Sequence, residues 1–255
     1  MAKIADQLSS GFKLFLFFLL LVVSILALYL RLLVTPKNRK QEVKFRARKT
    51  FCRRTNSIFG LHLSVVGHIP SDECYLYVSN HRSFYDPVAF LSCLNANPVS
   101  KAEVSRYPLI GWGARLTEVL MLDRNAKEER RRMKHRIYEN LRDGTSILIY
   151  PEGTTSALPL TDTFRKGAFE SAVKAGRAVI PVAMEYPDSS YYWINRPLYD
   201  QFVYQVVYRA DRRIYLSIGQ PITNPDPLIL LEKTQNSINL QIAELRKIRQ
   251  GPVKR

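Results

Sequence analysis

Residues 14–30 form an apolar run without a charged side chain, in which Ser24 is the one aliphatic polar break and which Lys13 and Arg31 flank. About 20 residues cross the hydrocarbon core of a bilayer, and a helix that is apolar on every side is not a surface helix of a soluble domain. The pattern favours a single helix within residues 1–34, spanning or deeply inserted. A cleaved signal peptide and a helix lying in the interface are the alternatives.

Beyond this run, short apolar segments alternate with helical patterns, which is typical of an α/β domain. The pattern predicts strands at 75–79, 146–150, 178–183, 203–208 and 214–218, and helices at 87–94, 125–144, 165–175 and 236–248. The residues predicted to face the core are Met133, Ile137 and Leu141 in the long helix, and Ile238, Leu240, Ile242 and Leu245 in the last one. We expect a mixed sheet flanked by helices and preceded by an N-terminal apolar membrane helix. The expected division is an anchor helix at 1–34, a basic juxtamembrane linker at 35–64 and a folded domain at 65–255.

Positive charge is concentrated directly after the apolar run. The chain has 38 Lys+Arg and 22 Asp+Glu, a formal charge of +16, and residues 31–54 contain ten basic residues and one acidic residue. Lys and Arg beside a membrane helix favour the cytoplasmic side, where they can contact anionic lipid headgroups. We therefore expect a membrane protein whose domain is cytoplasmic, without a nucleic-acid partner; a merely solvated linker is the alternative for the basic block.

The three cysteines, Cys52, Cys74 and Cys93, are an odd number without metal-type spacing. They indicate reduced thiols rather than a disulfide framework, and no cluster of ligands suggests a metal site.

A histidine and a carboxylate stand at the end of the predicted strand 75–79. His81 follows the strand directly, and Asp86 stands five positions later at the start of a helix. Two such residues would diverge on one straight helix, but a strand-to-helix turn can bring them together. A carboxylate that holds one imidazole nitrogen leaves the other free as a general base, which would deprotonate a hydroxyl. The alternative is that His81 bonds a backbone carbonyl and Asp86 only caps the helix.

A second polar turn follows the strand at 146–150. Glu152 can accept hydrogen bonds from a polyol, Gly153 permits a tight turn, and Thr154, Thr155 and Ser156 can donate to phosphate oxygens. Thr and Ser also cap helices, so a capping turn is the alternative.

With two further segments, these motifs resemble the glycerolipid acyltransferases typified by 1-acylglycerol-3-phosphate acyltransferase. Four blocks match in the family's order and together cover about residues 65–221. They are the NHX4D-like block at 80–86, a second block at 101–103 and 108–112 with Arg124, the FPEGT-like block at 150–154, and a fourth block at 179–182 that residues 164–168 approach.

The resemblance implies an enzyme that moves a fatty acyl group from acyl-CoA or acyl carrier protein to the free hydroxyl of 1-acyl-sn-glycerol 3-phosphate. The product would be phosphatidic acid, in phospholipid biosynthesis. His81 would be the base and Asp86 its partner, with Arg82 or backbone amides stabilising the oxyanion. No bound cofactor or metal is implied, because the thioester is a co-substrate. The implied acceptor site comprises Glu152, Gly153, Thr154, Lys101 and Arg124, although Lys101 and Arg124 are also compatible with plain surface charges.

One position departs from the usual family pattern. Thr155 stands where many members have Arg, the natural bidentate phosphate clamp, although a bacterial subset with EGTT is similar to this chain. Lys101, Arg124 or Lys166 would then have to supply the charge. A lyso-aminolipid or glycerol 3-phosphate is an alternative acceptor. From another class, a non-catalytic membrane-tethered protein that binds anionic lipid or nucleic acid is the rival hypothesis.

Overall fold

A mixed β-sheet forms the centre of the fold. The computed structural model describes residues 2–68, 73–123, 126–194 and 212–250. In this part of the chain the strands are β1 (His62–Val66), β2 (Leu76–Ser79), β3 (Asn97–Lys101), β4 (Leu120–Leu122), β5 (Ile147–Ile149), β6 (Val179–Glu185) and β7 (Arg213–Ile218). The helices are α1 (Ala2–Val34), α2 (Lys40–Phe59), α3 (Asp86–Leu91), α4 (Ile110–Leu116), α5 (Lys127–Arg142), α6 (Gly167–Lys174) and α7 (Pro227–Gln250).

The strand order places β2 in the middle of the sheet. The order is β1-β7-β6-β2-β5-β3-β4, and each neighbouring pair is parallel except β6 with β7. Val78 of β2 pairs with Ile149 of β5, so these two parallel strands end at the same edge of the sheet. The segments that follow them, 80–86 and 150–156, therefore leave the sheet side by side.

Helices cover both faces of the sheet, because successive strand residues point to opposite sides. In β2, Leu76 and Val78 face a core that includes Met133 of α5 and Phe169 of α6. Tyr77 faces the other core with Phe90 of α3. Both strand faces are buried, which explains why the central strands are continuous apolar runs rather than alternating ones.

The basic segment predicted as a linker is largely the helix α2, so that prediction was wrong. Five of its residues are buried: Arg48, Cys52, Thr55, Asn56 and Phe59. The Arg48 guanidinium donates to the carbonyls of Ala96 and Thr117 and to the amide oxygen of Asn97. Burial lowers the pKa of Arg48 to about 10. These bonds fasten α2 to the sheet, and most of its buried residues are not apolar, which explains why the hydrophobic pattern did not reveal the helix.

The helix α1 combines a buried stripe with a long apolar exterior. Leu21, Ile25 and Leu28 are buried and recur at helical spacing, where α1 packs on α2 and α4. By length and composition, Gly11–Val34 is able to cross a membrane, with a mean hydropathy of 2.7. Among the side chains of α1 that the structure describes, the exposed large apolar ones are Phe12, Phe15, Phe18, Leu19, Val23, Leu26, Tyr29, Leu30, Leu33 and Val34. The same helix therefore attaches to the domain and offers the apolar surface that membrane association needs.

Most predicted elements are present, with shifted ends. The core-facing prediction is confirmed for Ile238, Ile242 and Leu245, but Leu240 is 69% exposed because it lies two residues from either neighbour on a helix of period 3.6. Asp86 does not precede α3 as its cap but is its first residue. All three cysteines are free. The predicted strand at 203–208 and the predicted capping residue Asn125 lie outside the described residues.

Candidate active site

His81 and Asp86 meet across the turn between β2 and α3. Nδ1 of His81 lies 2.8 Å from Oδ2 of Asp86, and the carboxylate is fully buried. The histidine ring keeps part of its surface exposed, with 17% of the side chain accessible. The ring is therefore held at one nitrogen while the remainder faces the outside, which is the arrangement that a general base requires.

The Asp86 carboxylate is fixed by donors on both oxygens. Oδ2 also accepts from the backbone amides of Arg82, at 2.6 Å, and Ser83, at 2.8 Å. Oδ1 accepts from the hydroxyl of Tyr186, at 2.5 Å. These bonds leave the carboxylate no alternative orientation, so it determines the position of the imidazole.

The turn after β5 packs directly on the histidine. The Tyr150 ring stacks on the His81 ring, with centroids 4.2 Å apart and planes 20° apart. Burial raises the pKa of Tyr150 well above its ordinary value, so its hydroxyl stays neutral. The backbone carbonyl of His81 accepts from the amide of Ser156 at 2.8 Å. Ring and backbone of residue 81 are thus both held by the second motif.

Glu152 joins the two motifs through its carboxylate. Oε1 accepts from the backbone amide of His81 at 2.8 Å, and Oε2 accepts from the amide of Asp162 at 3.0 Å. Burial raises the pKa of Glu152, and these two amides oppose the rise. Gly153 follows with φ +80°, a conformation that favours glycine. In this geometry Glu152 orders the turn, and its contact with an acceptor polyol stays a prediction.

Arg82 does not face the site, so the hypothesis that its side chain stabilises the oxyanion was wrong. The side chain is fully buried, and the guanidinium donates to the carbonyls of Ser156, Leu158 and Pro159. Its ring contact is Tyr192, 4.9 Å from the guanidinium carbon. Arg82 therefore holds the loop after the second motif in place.

A cavity of about 400 Å³ opens beside the histidine. Its polar lining includes His81, Lys101, Thr154 and Thr155. Its apolar wall comes from four helices and includes Phe17, Leu21, Ile25, Leu28, Phe51, Val88, Leu91 and Ile110. The cavity thus brings a candidate base together with hydroxyl-bearing side chains and a largely apolar lining formed partly by α1.

Residues 62–185 match the family model described as Acyltransferase. This segment is an acyltransferase-family domain. The chain is 38% identical over 111 residues to the lyso-ornithine lipid O-acyltransferase of Pseudomonas aeruginosa, over 44% of this chain and 43% of that protein. It is 34% identical over 128 residues to the chloroplastic 1-acyl-sn-glycerol-3-phosphate acyltransferase of Arabidopsis thaliana, over 49% of this chain and 36% of that protein. The chain therefore spans less than half the length of both relatives.

The fold of the whole chain has a solved counterpart. The 1-acyl-sn-glycerophosphate (LPA) acyltransferase of Thermotoga maritima superposes with a TM-score of 0.75, over 96% of this chain and 98% of that one, at 20% sequence identity. The N-terminal helices and the sheet thus belong to one shared architecture.

The basic residues predicted to bind the acceptor have different surroundings in the structure. Lys101 ends β3 and lines the same cavity as Thr154. Lys166 instead pairs with Glu170, 3.2 Å away, in the first turn of α6. Arg124 lies outside the described residues. The roles of Lys101 and Thr154 in binding stay predictions.

Sequence reasoning missed Tyr186. It follows β6, a hundred positions after Asp86, and no motif marks it; only the sheet order, which sets β6 against β2, brings the two together.

Replacing Tyr186 with phenylalanine is expected to lower kcat roughly 10-fold, the lower end of the about 1.5–3 kcal/mol that a hydrogen bond to a charged group contributes. KM should change little, since the hydroxyl acts through Asp86 and touches no substrate. The matched control is Tyr192→Phe, which removes a buried hydroxyl that donates to Glu185. Steady-state kinetics on both variants checks this; equal kcat in the two variants would show that the Tyr186 hydroxyl has only a structural role.

Proposed function

We propose that this protein is a membrane-associated O-acyltransferase that acylates the free hydroxyl of 1-acyl-sn-glycerol 3-phosphate and produces phosphatidic acid. The observation that carries the proposal is that His81, which Asp86 holds at Nδ1, and Thr154 of the turn at 152–154 line the same largely apolar cavity. The acyl donor is a thioester of coenzyme A or of acyl carrier protein.

The pair supports a direct transfer. Nε2 of His81 accepts the proton of the acceptor hydroxyl while the hydroxyl oxygen bonds to the carbonyl carbon of the thioester. The carbon–sulfur bond then breaks, and the imidazolium returns the proton to the leaving thiolate. Asp86 holds Nδ1 and balances the positive charge during these steps. A positioned base supplies roughly 100- to 10,000-fold in rate, and the alignment of two bound substrates supplies much of the rest.

The apolar wall of the cavity supports an acyl chain as its occupant. Each buried methylene group contributes about 0.8 kcal/mol, so an aliphatic chain gains affinity along such a wall. Because α1 contributes Phe17, Leu21 and Ile25 to the wall, the chamber lies beside the helix that can enter a membrane. An acyl chain or lyso-lipid would then reach the site without crossing water.

The basic segment supports an orientation with the domain on the cytoplasmic face. Arg46 is exposed and Lys49 is half-buried on α2, so both can contact anionic headgroups, whereas Arg48 of the same segment is buried. We propose this contact as the second attachment to the membrane, beside α1. A nucleic-acid partner is not part of the proposal.

A lyso-aminolipid is the second candidate acceptor. Thr155 provides a hydroxyl where an Arg would clamp a phosphate, and the relative from Pseudomonas aeruginosa is a lyso-ornithine lipid O-acyltransferase. A less anionic acceptor is compatible with a hydroxyl at this position.

Mass spectrometry of the products tests the proposal. The purified full chain in lipid nanodiscs is given lysophosphatidate, a lyso-ornithine lipid or glycerol 3-phosphate, each with acyl-CoA, acyl carrier protein thioester or no donor. We expect phosphatidic acid from lysophosphatidate only when a thioester is present. If the lyso-ornithine lipid is the one acceptor that yields a product, the assignment moves to the second candidate. A product formed without a thioester donor would mean transacylation. No product in any reaction would leave the non-catalytic rival.

A further inference from the structure

The guanidinium of Arg165 lies against the turn at Gly153. A Cβ atom built on Gly153 would stand 3.1 Å from Cζ of Arg165 and 3.3 Å from its Nε and Nη2. The side chain is exposed, so one side contacts the turn and the other is open to solvent. A glycine at 153, already favoured by its φ of +80°, also allows this approach.

Two contacts determine where Arg165 stands. Its backbone amide donates to the carbonyl of Pro151 at 3.1 Å, inside the same turn. Its neighbour Phe164 is buried and stacks on Phe169, with ring centroids 6.5 Å apart. The main chain at 165 is therefore fixed relative to Gly153, although the residues are twelve positions apart.

The charge of Arg165 is available for a ligand. Among the described residues, no carboxylate pairs with its guanidinium, whereas the adjacent Lys166 pairs with Glu170. Arg82, the other arginine beside the turn, is buried and bonded to carbonyls. Arg165 is thus a cation beside Gly153 that is not used by the fold.

We propose that Arg165 binds the phosphate of the acceptor and replaces, from a distant position in the chain, the arginine that is absent at 155. Its guanidinium lies on Gly153, and the next two residues, Thr154 and Thr155, line the cavity beside His81. A planar guanidinium binds two phosphate oxygens at once, which an ammonium group cannot do. The inference rests on the proposed function and assigns the phosphorylated acceptor rather than the lyso-aminolipid.

Kinetics of Arg165→Gln tests the assignment. We expect KM for lysophosphatidate to rise roughly 10- to 100-fold, the range for a lost hydrogen bond to a charged group. Arg165→Lys should recover only part of the affinity. Arg142→Gln, which removes an exposed arginine paired with Asp143 on α5, is the matched control and should behave as wild type. Lys166→Gln is the competing candidate; an equal KM rise there would overturn the assignment to Arg165.

The phosphates of coenzyme A have the same chemistry, so the donor is varied separately. If Arg165 binds the acceptor, the KM rise persists with acyl carrier protein as donor, and KM for acyl-CoA stays unchanged. A rise confined to acyl-CoA would overturn the proposal. So would an equal loss with monoacylglycerol, which has no phosphate.

A binding measurement keeps the inference independent of turnover. In the His81→Ala background, lysophosphatidate in nanodiscs is titrated against protein with and without Arg165→Gln. We expect at least about tenfold weaker binding without the arginine, and equal binding would contradict the inference. Absence of catalysis by the wild-type chain would instead count against the proposed function, so the two failures are distinguishable.

Discussion

Replacing His81 with alanine is expected to reduce kcat by roughly 100- to 10,000-fold, the contribution of a positioned general base. The imidazole is the group that Asp86 orients and that borders the cavity. Without it, the acceptor hydroxyl must lose its proton to water while it attacks the thioester. Turnover of lysophosphatidate with a thioester donor measures the loss.

The fold should tolerate this change, because the contacts made by the backbone of residue 81 do not need the ring. Its amide still donates to Glu152, and its carbonyl still accepts from Ser156. Thermal unfolding in nanodiscs should therefore stay near that of the wild type. The matched control is His135→Ala, which removes an exposed imidazole from α5. Wild-type turnover in the His81→Ala variant, with folding intact, would refute the hypothesis that His81 is the general base.

The pairing of His81 with Asp86 was predictable because it is local. A strand end and a helix start within seven residues permit few geometries, and both elements have clear hydrophobic patterns. That the two motifs at 80–86 and 150–156 lie side by side was harder to predict from the sequence. It depends on β2 and β5 being parallel neighbours, although the strands β3 and β4 lie between them in the chain.

Contacts between distant segments were beyond sequence reasoning. Tyr186 reaches Asp86 because β6 is the other neighbour of β2, and Arg165 reaches Gly153 because the loop after the turn folds back on Pro151. Arg82 looked like a site cation because it adjoins His81. Its burial depends on the carbonyls of residues 156–159, whose path no local pattern specifies.

The basic segment shows a different limit. A helix is recognised by an apolar stripe, but the buried side of α2 includes Arg48, Thr55 and Asn56. Arg48 is satisfied by carbonyls of segments about fifty and seventy positions away. Only the assembled fold makes its burial favourable, since a buried charge needs hydrogen-bond partners.

Replacing Asp86 with asparagine is expected to lower kcat by at least about 100-fold, and by no more than the His81→Ala change, because the carboxylate acts through the imidazole. The amide oxygen can still accept from the backbone of Arg82 and Ser83 and from the ring. The Tyr186 hydroxyl can turn from donor to acceptor and take the new amide group. The geometry is then kept, but the negative charge that stabilises the imidazolium is lost.

We expect the Tyr186 hydroxyl to stabilise the Asp86→Asn variant as well. In the asparagine variant the tyrosine hydroxyl is the acceptor that keeps the amide in its productive orientation. Removing it leaves a buried N–H group unpaired, which costs about 1–3 kcal/mol. Adding Tyr186→Phe to Asp86→Asn should therefore lower the thermal stability further. Asp143→Asn, at the exposed end of α5, is the control.

A wild-type kcat for Asp86→Asn would show instead that Asp86 only caps the turn at Arg82 and Ser83, and that the imidazole needs no carboxylate.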